Sequence, residues 1–401
     1  MTTQTYHSDV CIVGNGAVGK AAALGFSQAG LRVDLLSSAA VAGPVTLPAA
    51  GSWDVRVFAL NHVAHDLLVS LKVWDALELS RVQAVSAMQV MDGRDGADGA
   101  LAFDAYGAHI EELAWIVEDR NLNQALDTAL KFAQNVRQIS GRASSFAVTD
   151  SAASVVLENG DELNASLVVG ADGAQSWVRG QCDIGIDYRS YGQRGVVTNF
   201  SCEKPHHGLA QQWFVEDLGI VALLPLPGQC VSLVWSAPDL LADQLMREPL
   251  SALADRLALY CADTLGALTP LQPEDIKAFP LQLLRPHAMI APRVALVGDA
   301  AHAVHPLAGH GMNLGFGDVT DLLASVSGRE AHRDCGAPRV LRRYSRARRE
   351  EVVLMLMTTD GLARLFGSDL APLRMARNLG MNLLNRLPVL KRTLIRHAMG
   401  K

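Results

Sequence analysis

The chain has no uninterrupted apolar stretch of about 18 residues, the length a helix needs to cross a bilayer, so no membrane span is expected. No basic n-region precedes the first apolar residues, Val10 to Val13, so no secretory signal is expected either. The six cysteines, at positions 11, 182, 202, 230, 261 and 335, form no C-x-x-C pair. That spacing lacks the usual zinc and dithiol signatures and fits reduced, buried thiols in a cytoplasmic protein. Nothing resembles a disordered tail: hydrophobic residues make up 49% of the chain and charged residues 19%, the balance of a folded globular protein. At 401 residues the chain is long enough for about two or three domains with a sizeable core.

The net charge of −6 is unevenly spread, because fourteen Lys and Arg face only four acids from Arg339 to the end. Within that region Val352–Met357, Leu362–Phe366 and Leu383–Ile395, the last broken at Pro388, read as short helices with apolar stripes. They are expected to cap the fold, with Arg342, Arg343, Arg346, Arg348 and Arg349 along a solvated face. The alternative is a basic amphipathic end that lies on an anionic membrane surface or docks on a partner.

What the chain does contain is three separated segments of one kind: DVCIVGNGAVGKAAALGF at 9–26, VVGADGAQSWVR at 168–179, and VALVGDAAHAVHPLAGHGMNLGFGD at 294–318. Each sets a short apolar run, readable as a buried strand, before glycines or a Gly-Asp pair. Such turns lie where an α/β sheet opens its crevice to ligands. In the first, Val10 to Val13 form the strand. Gly14, Gly16 and Gly19 then supply a tight turn, a close backbone approach to a pyrophosphate, and close helix–strand contact. Ala21 to Phe26 continue as a helix whose unpaired N–H groups face the diphosphate. A second strand, Arg32 to Leu36, should end in a carboxylate for the adenosine ribose. Ser37 stands there, and Asp34 lies three residues early, inside the strand.

In the second segment Asp172, followed by Gly173, can hold a ribose or a metal, or can cap the next helix. In the third, Val294 to Val297 deliver Gly298 and Asp299, and Gly309, Gly311 and Gly315 open another helix. Backbone N–H groups at that helix start can donate to the pyrophosphate and to the flavin ring oxygen. Three such turns in this order point to bound FAD.

The same segments, with DVRVFALN at 54–61, LKVWDAL at 71–77, WIVEDRNLNQAL at 115–126, EKPHHGLAQQWF at 203–214, VALLPLP at 221–227 and RRYSRARREE at 342–351, carry a resemblance. The chain resembles the group A flavoprotein monooxygenases, and within them the hydroxylases of ubiquinone biosynthesis. The resemblance implies an α/β fold: a Rossmann-like FAD-binding domain, with a parallel sheet and helices on both sides, interleaved with an antiparallel-sheet substrate domain and a C-terminal helical segment. The expected division is 5–75, 106–180 and 286–340 for the FAD-binding domain, 76–105 and 181–285 for the substrate domain, and 341–401 for the C-terminal helices. It further implies hydroxylation of the ring of a polyprenyl phenol with NAD(P)H and oxygen, through a C4a-hydroperoxyflavin. No second G-x-G-x-x-G follows a strand, so the nicotinamide is expected to visit transiently.

By the same resemblance Gly14, Gly16 and Gly19, with Ala17 and Val18 between them, hold the FAD diphosphate, and Arg56 reaches over the cofactor. Asp172 and Gly173 belong to a motif shared by FAD and NADPH binding, Asp299 bonds the ribityl chain, and Pro306 sits beside the flavin ring. Gly309, His310, Gly311, Met312 and Asn313 line its pyrimidine side. Four positions depart from the pattern: Ser37 for Glu, Asn123 for Gln or Arg, His310 for Gln, and Gly317 for Arg. Each is expected to weaken or reshape a contact to FAD. The flavin carries the chemistry, so no catalytic residue is assigned; the candidates are His310, which as a cation would stabilise reduced, anionic flavin, and Pro306 beside the ring.

His302, His305 and His310 invite a metal reading, but no carboxylate motif accompanies them, and the flanking glycines suit a flavin loop better. His302 is expected to bond backbone. The substrate pocket is expected on the middle sheet, with Gln212, Phe214, Leu224 and Trp235 as its floor. The strands read there, Gly195–Phe200 and Val231–Trp235, offer no obvious Arg for a substrate carboxylate, which suits a polyprenyl phenol. Two alternatives stay open. One is another flavin oxidoreductase of the same fold, although the W-x-W-x-I-P segment of a halogenase is missing. The other is a non-catalytic FAD-binding accessory protein of a biosynthetic complex.

Overall fold

The computed structural model describes residues 3–38, 52–93, 100–215, 217–272, 274–304 and 310–366. Pro306, Gly309 and the segment at 383–395 lie outside the described residues.

β1 (Thr5–Val13) is fully buried from Val10 onward and turns into α1 (Ala17–Gln28), which leads to β2 (Val33–Ser37). Gly30 takes φ +80° between α1 and β2, the left-handed conformation that lets the chain reverse after a helix. β3 (Val57–Leu60), α2 (His62–Ser70), β4 (Gln83–Val85), β5 (Ala87–Asp92), β6 (Ala100–Asp104), α3 (Ala105–Ala108), β7 (Ala114–Glu118) and α4 (Asp119–Phe132) follow. Then come β8 (Val136–Ser140), β9 (Ala143–Val148), β10 (Ala153–Leu157), β11 (Glu162–Gly170) and α5 (Trp177–Gln181). The middle of the chain gives β12 (Ile186–Cys202), β13 (Leu209–Val215), β14 (Gly219–Leu226), β15 (Cys230–Pro238), α6 (Asp239–Leu245), α7 (Leu250–Leu265), β16 (Leu268–Pro270) and β17 (Lys277–Pro286). The last third holds β18 (Ile290–Ala291), β19 (Val294–Leu296), α8 (His310–Ser327) and α9 (Pro338–Phe366).

The fold is mixed α/β. One sheet runs β18-β19-β11-β1-β2-β8 and is parallel from β19 to β8, with the β9–β10 hairpin hung on β11. Val10–Val13 of β1, Leu167–Gly170 of β11 and all of β19 are buried on both faces, as the centre of a parallel sheet covered on both sides requires. A second sheet runs β16-β12-β15-β14-β13-β5-β6, with β17 on β12, and is antiparallel except where β13 meets β5. α6 and α7 cover one of its faces through Trp213, Val221, Leu233, Trp235, Leu253 and Leu257. Its other face meets a small sheet, β3-β7-β4, through Leu224, Leu226, Trp53 and Ile116.

The C-terminal region departs from its expected form. Val352–Met357 and Leu362–Phe366 belong to one continuous helix, α9, that starts at Pro338. Proline suits the first helical position, and no glycine or second proline interrupts the helix before Gly361. Arg348, expected on a solvated face, is only 1% exposed and faces α8. Its charge is matched by the buried carboxylate of Asp318 and by the more exposed ones of Asp321 and Glu351, the condition under which an arginine is found inside a protein.

Candidate functional site

Strand register brings the three glycine-bearing segments into one row. β1 lies between β2 and β11, Val13 pairs with Gly170, and Gly170 pairs with Leu296 of β19. The turns after all three strands therefore open on the same edge of the sheet, the C-terminal edge where α/β sheets bind ligands.

The first turn is packed on one side and open on the other. Gly14 takes φ +111°, and a Cβ there would lie 2.3 Å from the Ala171 carbonyl oxygen. At Gly19 a Cβ would lie 2.0 Å from the Gly14 oxygen. At Gly16, Gly173 and Gly311, by contrast, an added Cβ meets nothing within 4 Å. Gly16 is the N-cap of α1 and gives no side-chain cap, which leaves the first N–H groups of that helix for an anion. A backbone cradle packed against protein on one side and clear of protein on the other suits the diphosphate of a dinucleotide. Ala17 is buried in the first turn, and Val18 packs beneath Gly298 and Gly315, tying α1 to the third segment.

Asp172 is engaged within its own turn. Its carboxylate accepts from the Ser176 hydroxyl at 2.5 Å and the Val178 N–H at 3.1 Å, which fixes the start of α5. Arg179, to which sequence reasoning gave no role, donates to the carbonyls of Ala174 at 2.7 Å and Ala300 at 2.9 Å. It thus clamps the second turn to the third, where Gly298–Ala300 form a 3-10 turn that displays Asp299. Asp299 is open to solvent yet surrounded by protein on most sides, as a residue on the floor of a cleft would be. That enclosure pushes its carboxyl up, and His302 and Arg56 only partly offset it.

Beneath that turn lies Asp318 of α8, another residue missed from the sequence. It is fully buried, accepts the Gly298 N–H at 2.8 Å, and lies 2.8 Å from both His302 Nε2 and Arg348 Nε. Burial alone would raise its carboxyl, but His302 and Arg348 outweigh burial and hold it below the ordinary carboxylate range. The side-chain partner of His302 is therefore a carboxylate, although a backbone partner was expected. The Arg missing at 317 has a counterpart here, because a Cβ on Gly317 would lie 3.0 Å from the Arg348 guanidinium. Tyr344 adds a second tie from α9, donating to the Leu296 carbonyl at 2.7 Å.

Arg56 lies within electrostatic reach of both Asp299 and Asp119. Its guanidinium carbon lies 5.2 Å from the Phe58 ring and 5.5 Å from the Phe279 ring, and Nη1 is 4.0 Å from Asp119. The segment before it is pinned from both sheets. Buried Glu118 accepts the Asp54 N–H at 2.5 Å and pairs with Arg81 at 2.6 and 2.8 Å. Asn199 of β12 donates to the carbonyls of Asp54 at 3.0 Å and Trp53 at 3.4 Å. Burial pushes the Asp119 carboxyl up, opposed by Arg56.

The remaining candidates divide. Ser37 ends β2 at the same sheet edge, whereas Asp34 is buried against Arg137 at 2.6 Å, so it serves the sheet. Asn123 accepts from Lys20 at 3.1 Å and donates to the Asp119 carbonyl and carboxylate at 3.0 and 2.8 Å. Asn313 accepts the Asn61 N–H at 3.0 Å and donates to the Ala59 carbonyl at 2.8 Å, joining α8 to the β3–α2 corner. His310 is the first residue of α8, and Met312 packs partly buried against the core.

Of the four expected floor residues, three share a face. Gln212 pairs with Ala222, Phe214 with Ile220, and Leu224 with Ser232. Side chains alternate across a sheet, so Gln212, Phe214 and Leu224 point away from α7 together. Trp235 pairs with Val221 and packs with it on the α7 side, where its indole donates to the Leu218 carbonyl at 2.7 Å. It is core on the opposite face from the other three.

The FAD binding domain family matches residues 111–359, more than half of the chain. Ubiquinone hydroxylase UbiL of Rhodospirillum rubrum is 36% identical over 395 residues, covering 98% of this chain and 90% of that protein. The 3-demethoxyubiquinol 3-hydroxylase of Escherichia coli is 34% identical over 404 residues, covering all of both chains. Among solved structures, p-nitrophenol 4-monooxygenase PnpA from Pseudomonas putida superimposes with a TM-score of 0.77 at 21% identity, over 98% of this chain and 97% of that one. At that identity the likeness speaks to the fold alone. The match across the whole length, with the glycine cradle and the Asp299 turn in one row, places the chain in the FAD binding domain family, among the FAD-dependent hydroxylases of ubiquinone biosynthesis.

Proposed function

We propose that this protein hydroxylates the aromatic ring of a polyprenylated ubiquinone precursor, using NAD(P)H and oxygen. The observation that carries the substrate class is the composition of the three central strands of the second sheet: β13, β14 and β15 contain no charged residue, and Gln212, Phe214 and Leu224 share the face turned from α7. An apolar floor with one amide favours a neutral phenol over a benzoate, whose carboxylate would be buried without a partner.

FAD, when bound, supplies the redox chemistry by taking hydride equivalents from NAD(P)H and activating oxygen. The chain's part is placement. The glycine cradle and the α1 N-terminus hold the diphosphate, Asp299 accepts from the ribityl hydroxyls, and Arg56 covers the cofactor between the sheets. Gln212 orients the ring by a hydrogen bond, and Phe214 and Leu224 keep water from it.

No helix among the described residues is long and apolar enough to cross a membrane. We assign contact with an anionic membrane surface, where a polyprenyl substrate resides, to α9, which combines an arginine-rich sequence with Leu354 and Met357 at 42% and 67% exposure.

The test is turnover with purified protein and FAD. A prenylated phenol should stimulate NAD(P)H oxidation and yield a product heavier by one oxygen, and a benzoate should not. Retained FAD with no stimulation by any phenol would support the non-catalytic accessory reading instead.

A further inference from the structure

We propose that Lys20 is a ligand of the FAD diphosphate, held in waiting by Asn123 and Asp127. The inference rests on the family's cofactor and concerns a residue to which the motif itself gives no role.

Lys20 lies four residues beyond Gly16, about 6 Å along the axis of α1 at 1.5 Å per residue. Helical side chains lean toward the N-terminus, so its stem runs back along α1 in the direction of Gly16, on the side that meets α4. The residue is only 7% exposed, unusual for a lysine that serves merely as a solvated charge. Its ammonium lies 2.6 Å from Asp127 Oδ1 and 3.1 Å from Asn123 Oδ1. An ammonium has three donors, and these contacts engage two of them.

Asn123 sharpens the assignment. Its side-chain nitrogen donates to the Asp119 carbonyl and carboxylate, and its oxygen accepts from Lys20. No donor of that amide is left for a cofactor, so the group able to donate from this place is the ammonium beside it. Charge points the same way. Asp119 feels the charge of Asp54 and of the cations Arg56 and Lys20, and Arg56 also acts on Asp299. A dianionic diphosphate entering beside these carboxylates needs more than the partial charge of a helix end, and Lys20 and Arg56 are cations within electrostatic reach of them. On binding, the ammonium keeps Asn123 and shares or exchanges Asp127 for a phosphate oxygen.

The experiment is a titration of apoprotein with FAD, followed by quenching of flavin fluorescence, for the wild type, Lys20→Met, Lys20→Gln and Asp127→Asn. Loss of a charge-assisted bond should raise the FAD Kd of both Lys20 variants about tenfold or more and flatten its rise with added salt. Asp127→Asn should leave Kd within about twofold or tighten it, since it frees the ammonium. Both kinds of variant break the interhelical pair, so apoprotein melting temperatures should fall alike, while the rise on adding FAD shrinks only without Lys20. If Lys20 and Asp127 variants shift Kd by the same factor, or the Lys20 variants leave it unchanged, Lys20 only ties α1 to α4 and the proposal is overturned. A wild type that fails to bind FAD in the same titration would instead overturn the cofactor reading.

Discussion

The Asp318 carboxylate and the Arg348 guanidinium meet at 2.8 Å, with side chains 0% and 1% exposed. The other oxygen of the same carboxylate holds the Gly298 N–H at 2.8 Å. A residue of α9 thereby reaches, through one buried acid, the turn that displays Asp299. Removing either partner leaves the other charged and buried, which is far costlier than losing a surface pair. Arg348→Met should therefore destabilise the protein by about 3–5 kcal/mol, and chemical unfolding followed by circular dichroism checks it. A loss under about 1 kcal/mol would mean the pair is solvated.

Acid should act through the same group. The Asp318 carboxyl is held below its ordinary value, so its contribution is fully present above the unfolded value of about 3.9 and is lost as pH falls through the lower folded value. Melting temperature should drop steeply below about pH 4 in the wild type. In Asp318→Asn the drop should be shallower, from a lower starting point.

Asp299 should behave in the opposite sense. Its carboxyl is pushed up by enclosure, so the charged form costs stability above its folded value and is relieved on acidification. Asp299→Asn should raise the melting temperature of the apoprotein near neutral pH while weakening FAD about tenfold. Calorimetry of the apoprotein and a flavin titration read the two effects separately.

The glycine cradle separates folding from binding. Gly14→Ala places a Cβ at positive φ and 2.3 Å from the Ala171 oxygen, so it should cost stability as well as cofactor. Gly16→Val meets no protein atom within 4 Å of its Cβ and should fold normally but bind FAD at least about tenfold more weakly. Far-ultraviolet circular dichroism beside flavin retention on a desalting column distinguishes them.

Trp235 and Leu224 test the two faces of the substrate sheet. Trp235→Phe loses the hydrogen bond to Leu218 and some packing, about 1–3 kcal/mol of stability, with kcat/KM unchanged. Leu224→Ala should raise KM for a prenylated phenol several-fold with a smaller loss of stability. Steady-state kinetics and unfolding on the same preparations decide.

The two layers of the fold and the row of three turns were legible because they rest on local signals: apolar runs, and glycines at fixed offsets after Val13, Gly170 and Val297. Which face of a strand meets which helix depends on register across non-consecutive strands. Period-two alternation puts Gln212 and Phe214 together but does not tell Trp235 which side α7 covers. The second ring of residues was hidden for a related reason. Asp318, Arg179, Glu118 and Arg348 act over separations of 20 to 121 positions, and charged residues far apart in a chain read as surface until a fold pairs them. Arg348 was misplaced for that reason.

The most direct measurement of the central claim is the visible absorption spectrum of the purified protein after incubation with excess FAD and removal of the unbound cofactor. Convergence of the Gly14, Asp172 and Asp299 turns on one cleft predicts flavin absorption at close to one FAD per chain, lost in Gly16→Val although that variant folds. A protein that remains colourless, or one whose flavin is indifferent to Gly16, would contradict it.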